Sequence, residues 1–329
     1  MGEIEKKHKK QKRAVYVCLA VIVLFFFSAC KSHLSNDTGV YHYPVLPLDE
    51  SFTKKHVFLI GLDGWGSYSF EKSDIPVIRS SMAAGSYTLD ALDVMPSITV
   101  PNWASMFMGA TPDIHGYKTN PPTNNDPPYA ESSVIDKYGL FPSIFTLLKE
   151  ERPNCTVAYF YEKPKLGYLC PDNVLDKKEH IPDLSGGASA LLRITSYIEA
   201  EKPNFTAIVF LEPDGIGHSV GHDTNEYYNQ LKKLDEYVAQ IIQSIQNAGI
   251  WNNTILIFSS DHGGIGTSHG NDTAAERKIP VIIAGKNIRP AYTIPGPVMV
   301  YDIAPTIAHI FELEIPLFWQ GSVLDVFTE

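Results

Sequence analysis

Three apolar runs of strand length, each leading to an acid, constrain this chain more than any other feature. "HVFLIGL" (56–62) runs into Asp63, "TAIVFL" (206–211) reaches Asp214 three residues later, and "TILIFSS" (254–260) runs into Asp261 and His262. Continuous apolar runs of this length are the pattern of strands buried on both faces. Segments of helical period lie between them: "FPSIFTLLKEE", "GGASALLRITSYIEAE" and "NEYYNQLKKLDEYVAQIIQSIQNAG", the last amphipathic and closed by a glycine. "PNWASMFMGA" (101–110) opens on proline, as a first helical turn does, and "YDIAPTIAHIFELE" (301–314) gives a final helix. "TLDALDV" (88–94), "TVAYFY" (156–161) and "IPVIIAG" complete the strands. The alternation predicts an α/β fold, a mostly parallel central sheet sandwiched by helices. Ligands of such sheets bind beyond the carboxyl ends of the strands, so the strand-end acids are expected to converge there.

The histidines point the same way. "DGIGHSVGH" places His218 four residues after Asp214 and His222 four further on, a spacing that puts side chains on one face of a helix or turn. "SSDHGGIGTSHGND" sets His262 beside Asp261 and His269 in a glycine-flanked loop that can fold back over the same pocket. One acid at a strand end usually caps the next helix. Three such acids, two of them with histidines, fit a metal centre better. Asp and His without cysteine suit Zn²⁺ or Mn²⁺. Six such groups exceed the needs of one tetrahedral ion and suit two divalent ions with open positions.

Composition sets the frame. The chain has 329 residues, 44% of them hydrophobic, enough for one large core or two modest domains, and no repeat or second domain is visible. A net charge of −10 argues against nucleic acid as a partner. The N-terminus differs from the rest: "MGEIEKKHKKQKR" is basic, and "AVYVCLAVIVLFFFSAC" is apolar. Residues 1–30 therefore read as an export signal, whose end "FSAC" resembles the lipobox of bacterial lipoproteins, with Cys30 as the lipidated residue. An uncleaved signal anchor is the other reading. Either one places the body outside the cytosol, tethered to a membrane and periplasmic or at the cell surface. Residues 31–54 read as a polar tether, and 55–329 as the catalytic domain. The Pro-rich stretch 118–139 reads as a loop over or beside the site. Cys155 and Cys170 are the two body cysteines, and they either pair or remain buried thiols.

The motifs "GLDG", "MPSITVPNWASMFMGATPDIHG", "DGIGH", "SDHGG" and "YDIAPTIAHIFELEIP" resemble the alkaline phosphatase superfamily, and within it the type I phosphodiesterase/nucleotide pyrophosphatase branch. The resemblance covers about residues 55–329 and implies an alkaline phosphatase-like fold. It implies that Asp214, His218 and His269 hold one divalent ion, and that Asp63, Asp261, His262 and the nucleophile oxygen hold a second. It matches Thr99 in "PSITVPNW" to the nucleophile, with Ser97 as the near alternative, and Asn120 in "HGYKTN" to a contact on the phosphoryl oxygens. His309 reads as a packed or surface histidine, and His222 as a supporting or structural one.

The implied reaction is phosphoric ester hydrolysis through a covalent phospho-threonine on a small substrate: a nucleotide, a lipid-headgroup diester or a glycan diester. Thr99 precedes a helix, whose N-terminus favours anions. The charge of two divalent ions offsets three carboxylates and an ionised Thr99, leaving the site able to accept phosphate. A sulfatase is disfavoured because "TVPNW" lacks the Cys/Ser-x-Pro-x-Arg pattern. A phosphomonoesterase wants an arginine clamp, for which Arg277 is the candidate. An envelope phospho-group transferase would share the same intermediate. An inactive binding lipoprotein is expected to have lost ligands, and here every expected position is filled.

Overall fold

A computed structural model describes residues 40–44 and 50–328. The export signal, Cys30 and most of the tether lie outside the described residues. Among those described, no helix is long and apolar enough to cross a membrane.

Eight strands form one sheet: β1 (His56–Leu62), β2 (Gly85–Leu92), β3 (Val157–Tyr161), β4 (Lys177–His180), β5 (Phe205–Phe210), β6 (Thr254–Ser259), β7 (Lys278–Gly285) and β8 (Tyr292–Thr293). Their spatial order is β4-β3-β5-β1-β6-β7-β2-β8. The run from β4 to β6 is parallel throughout, and β7 is antiparallel to both of its neighbours, β6 and β2. This is the mostly parallel sheet that the sequence predicts. The helices are α1 (Pro76–Ala83), α2 (Thr99–Met108), α3 (Pro112–His115), α4 (Ile144–Glu151), α5 (Ala188–Glu201), α6 (Asp214–Val220), α7 (Asn225–Asn247), α8 (Ala274–Arg277) and α9 (Ile303–Ile310).

All seven residues of β1 are buried, because helices cover both faces. Strand alternation sends Val57 and Leu59 into a core with Trp103, Phe107, Phe145 and Ile307, from α2, α4 and α9. It sends Phe58, Ile60 and Leu62 into a second core with Ile78, Ile194 and Leu234, from α1, α5 and α7. The buried face of α7 runs Tyr227, Leu231, Leu234, Val238, Ile241, Ile245, the spacing of a helical stripe. Thr224 caps its start by accepting from the Tyr227 N–H, and Gly249 turns its end at φ 74°.

The structure adjusts one sequence reading and settles another. Tyr41 and Phe52 fall in the stretch read as a polar tether, yet both are buried. Tyr41 donates its N–H to the Ile135 carbonyl at 2.7 Å and packs edge-on against Phe318, so the 118–139 loop gains a partner from the N-terminal side. Cys155 and Cys170 are free, buried thiols. Cys155 precedes β3, whereas Cys170 follows the 3₁₀ turn Pro164–Leu169 beyond the strand.

Glu151, the last residue of α4, is buried, and its Oε2 accepts the Glu314 N–H at 2.9 Å. Its Oε1 has no hydrogen-bond partner, and burial pushes its pKa up to about 8. A carboxyl raised in the folded state binds a proton that the unfolded chain has released, so stability falls with rising pH between the ordinary carboxylate range and about 8. We expect Glu151→Gln to flatten this fall, as measured by denaturant midpoints from about pH 5 to about pH 9.

Candidate active site

Four adjacent parallel strands, β3, β5, β1 and β6, deliver their carboxyl ends to one place. Asp63 follows β1, Asp214 opens α6 after β5, and Asp261 and His262 follow β6. The main chain ties these ends together. The Asp214 N–H donates to the Asp63 carbonyl at 2.9 Å, and the Gly64 N–H donates to Asp261 Oδ1 at 3.1 Å. Gly64 has φ 73°, and a Cβ there would stand 2.7 Å from the Asp214 Cβ, so "GLDG" needs its second glycine for both reasons. A Cβ on Gly61 would meet the Trp103 ring at 2.1 Å. That space lets Trp103 lie across β1 and donate from Nε1 to Asp63 Oδ2 at 3.3 Å.

Four histidines surround Asp214. His218 Nε2 is 3.4 Å from Asp214 Oδ2, His269 Nε2 is 3.6 Å from Oδ1, and His222 Nε2 is 3.7 Å from Oδ1. His262 Nε2 lies 3.3 Å from Asp261 Oδ2 and 3.7 Å from Asp63 Oδ1, and its ring stacks on His269 at 3.7 Å. Each ring presents Nδ1 to a backbone carbonyl: His218 to Thr267, His222 to Gly266, His262 to Gly263, and His269 to Ser97. An Nδ1–H donated to a carbonyl leaves Nε2 as a lone pair, the form a metal ligand takes. Burial lowers His262 to a pKa of about 3 and His269 to about 4, keeping both rings neutral. His218 is the most exposed of the four and is raised by its hydrogen bond to Asp214.

The residues fit a metal ion. Asp214 Oδ1, His222 Nε2, Asp261 Oδ2 and His262 Nε2 are buried without hydrogen-bond partners. Orphaned acceptors of this kind are costly, and a divalent cation satisfies them together. The ligand atoms of Asp214, His262 and His269 lie within 4.8 Å of one another, as do those of Asp63, Asp261 and His262. The second group matches three ligands expected from the sequence. In the first group His262 closes the set, with His218 Nε2 3.2 Å from His269 Nε2 at its edge.

Thr99 is the first residue of α2 and is buried beside this cluster. Asn120 Oδ1 accepts the Val100 N–H at 2.9 Å, which holds the Asn120 amide against the same helix N-terminus. Ser97 is engaged elsewhere, its hydroxyl bonded to the Asp93 carboxylate and the Glu276 carbonyl. Arg277 is also taken: Nε donates to Asp93 at 2.8 Å and NH1 to Asp272 at 2.6 Å. The arginine clamp expected of a phosphomonoesterase is therefore committed to carboxylates. The aromatic residues Trp65, Trp103 and Tyr117 are buried in the core. His309 is exposed and its ring contacts Phe327, which agrees with a packed or surface histidine.

Sequence reasoning missed Lys163. It stands two residues beyond β3, is 7% exposed, and donates from Nζ to Asp63 Oδ1 at 2.9 Å and Asp214 Oδ2 at 2.8 Å. The same Nζ is 3.4 Å from Thr99 Oγ1. Burial disfavours its charge, but Asp214, Asp63 and Asp261 outweigh burial and hold the amine protonated. Burial raises Asp63 and Asp261, whereas at Asp214 Lys163 and the histidines overcome burial and hold the carboxyl well below its ordinary range. The strand-end rule that found the acids also points to "YFYEK". Glu162, the preceding residue, is structural: its Oε2 accepts from the Leu211 N–H at 2.8 Å and the Ser185 N–H at 3.1 Å.

Residues 57–286 match the family model for type I phosphodiesterase / nucleotide pyrophosphatase. The chain belongs to that family. Its members are hydrolases of phosphoric ester bonds. Ectonucleotide pyrophosphatase/phosphodiesterase family member 1 of Rattus norvegicus is 26% identical over 230 residues, covering 64% of this chain and 24% of the relative. Human bis(5'-adenosyl)-triphosphatase ENPP4 is 21% identical, covering 63% of this chain and 47% of the relative. The chain thus spans less than half the length of these curated relatives. Among solved structures, murine ectonucleotide pyrophosphatase/phosphodiesterase 5, an inactive threonine-to-alanine variant in complex with AMP, has a TM-score of 0.65 at 16% identity, covering 79% of this chain and 96% of that one. A 2-O glycosaminoglycan sulfatase has a TM-score of 0.62 at 15% identity, covering 82% of this chain and 73% of that one. These likenesses establish the alkaline phosphatase-like fold.

Proposed function

We propose that this chain is an exported, membrane-tethered, metal-dependent phosphodiesterase of the nucleotide pyrophosphatase type, acting through a covalent phospho-threonine at Thr99. One observation carries the reading: a buried threonine at a helix N-terminus lies 3.4 Å from Lys163 Nζ, which bridges two of three carboxylates set among imidazoles whose Nε2 atoms face inward. Asp214, His218 and His269 would hold one divalent ion, and Asp63, Asp261, His262 and Thr99 a second, zinc or manganese. Such ions supply positive charge that favours an ionised oxygen nucleophile and offsets the charge of a phosphoryl group.

The residues account for the rest. The Thr99 oxygen forms a bond to phosphorus as the bond to the leaving alkoxide breaks; the hydroxyl proton passes to solvent, and solvent protonates the alkoxide to the alcohol. Water then cleaves the phospho-threonine, restoring the hydroxyl and releasing a phosphomonoester. The Thr99 hydroxyl faces Lys163, a donor and not a base, so no side-chain base is assigned to it. The Asn120 amide, anchored through Oδ1, presents its NH₂ as a donor for a phosphoryl oxygen. A small phosphate ester of nucleotide type is the favoured substrate class. The AMP bound by the murine relative and its inactivating loss of a threonine support this reading.

The test is turnover of bis-p-nitrophenyl phosphate against p-nitrophenyl phosphate by the full chain in detergent, with zinc, after chelation, and after zinc is restored. We expect preference for the diester, loss on chelation and recovery on re-addition. Preference for the monoester, or activity that survives complete chelation, would overturn the assignment.

A further inference from the structure

We infer that the Lys163 ammonium is a resident cation of this centre, competing with a divalent ion for Asp63 and Asp214. The chain accordingly holds one ion firmly and a second weakly. The inference rests on the metal-dependent reading above.

Position is the first argument. Lys163 Nζ bridges Asp63 Oδ1 at 2.9 Å and Asp214 Oδ2 at 2.8 Å, and it lies 3.4 Å from Thr99 Oγ1. These atoms belong to the ligand sets of both proposed ions, so the ammonium occupies the space between them. Burial is the second argument. Lys163 is 7% exposed and its two carboxylate partners are at most 2% exposed. An ammonium so enclosed loses its pairing if an ion takes those oxygens, and the cost of an unpaired buried charge opposes that exchange.

Charge is the third argument. Asp63, Asp214 and Asp261 supply three negative charges to a buried pocket. One divalent ion and one ammonium balance them with Thr99 neutral, whereas two divalent ions and the ammonium leave an excess of two positive charges with Thr99 neutral and of one with Thr99 ionised, before any substrate arrives. The atoms left over are the fourth. Asp63 already has both oxygens engaged, one by Lys163 and one by Trp103. Asp261 Oδ2 and His262 Nε2 are unpartnered on that side, as Asp214 Oδ1 and His222 Nε2 are on the other, but of the two carboxylates that Lys163 bridges only Asp214 keeps an oxygen unengaged by a donor, with His269 Nε2 3.6 Å from it. The firm ion therefore belongs on the Asp214 side, with His222 among its neighbours, and the weak one on the Asp63 side.

The test reads metal directly. The full chain and its Lys163→Met variant, purified in detergent, are equilibrated with excess zinc, passed into metal-free buffer, and assayed for zinc by plasma mass spectrometry. Methionine keeps most of the stem volume and removes the charge. We expect one retained equivalent in the wild type and two in the variant. Equal, non-zero retention in both would overturn the inference and leave the metal-dependent reading standing, whereas no retention in either would overturn both. Should Lys163→Met not fold, calorimetric titration of the metal-free wild type with zinc decides alone. Two binding events separated by at least about a hundredfold in Kd support the inference, and two equivalent tight sites overturn it.

Discussion

Thr99→Ala is expected to lower kcat on a phosphodiester by about 10⁴-fold or more while leaving firmly bound zinc in place. The two outcomes separate because Thr99 is expected to supply the bond-forming oxygen but only one ligand among several. Asp63, Asp261 and His262 keep their geometry without it, since Gly64 N–H, Trp103 Nε1 and the Gly263 carbonyl orient them independently. An alanine at the first position of α2 leaves the helix intact, because Ile98 is the cap residue and offers no side-chain hydrogen bond to lose. The parallel change Ser97→Ala is expected to leave turnover within a small factor of wild type, because the Ser97 hydroxyl is already committed to Asp93 and the Glu276 carbonyl. The measurements are kcat on bis-p-nitrophenyl phosphate and zinc content for each variant. Turnover that survives in Thr99→Ala and is lost in Ser97→Ala would transfer the nucleophile to Ser97.

The acids of this site were legible because two independent regularities agree on them. Buried parallel strands are apolar throughout, so their ends stand out, and open α/β sheets place ligands at those ends. Asp63, Asp214, Asp261 and His262 all follow from that. Lys163 obeys the same geometry but was invisible, because a lysine after a strand ordinarily reads as a solvated charge. Its significance depends on β3 lying beside β5 and not at the sheet edge, which is a fact of strand order and not of local sequence. His222 comes to Asp214 by a route that its spacing does not give. A spacing of four from His218 suggests the same helical face, yet α6 stops at Val220 and the chain turns at Gly221 with φ 114°. The ring then comes back into the slot against Gly217 and Gly264, where a Cβ on either would lie 2.4 Å from it. Strand β4, "KKEH", escaped notice because an edge strand carries polar residues and lacks the apolar signature of its neighbours. Tyr41 and Phe52 were hidden in a polar stretch for want of any periodicity, although each is buried in the core.

Asp214→Asn is expected to reduce retained zinc to well below one equivalent and to destabilise the metal-free protein by about 3–5 kcal/mol. The reason is connectivity. Asp214 is the group that Lys163, His218, His222 and His269 share, at 2.8, 3.4, 3.7 and 3.6 Å. Asparagine preserves the shape but presents no charge to the lysine, and its NH₂ takes the place of one ligand oxygen. Lys163 then keeps Asp63 as its direct partner, in a pocket where water cannot compensate. Stability is read from the unfolding midpoint after chelation, and zinc from mass spectrometry. The double variant Asp214→Asn/Lys163→Met should be less destabilised than the sum of its single changes, because removing both partners leaves no buried ammonium that has lost one of its two carboxylates. Strict additivity would mean that Lys163 and Asp214 contribute separately. A resident ammonium requires them to be coupled, since its place in the site is defined by the carboxylates it holds.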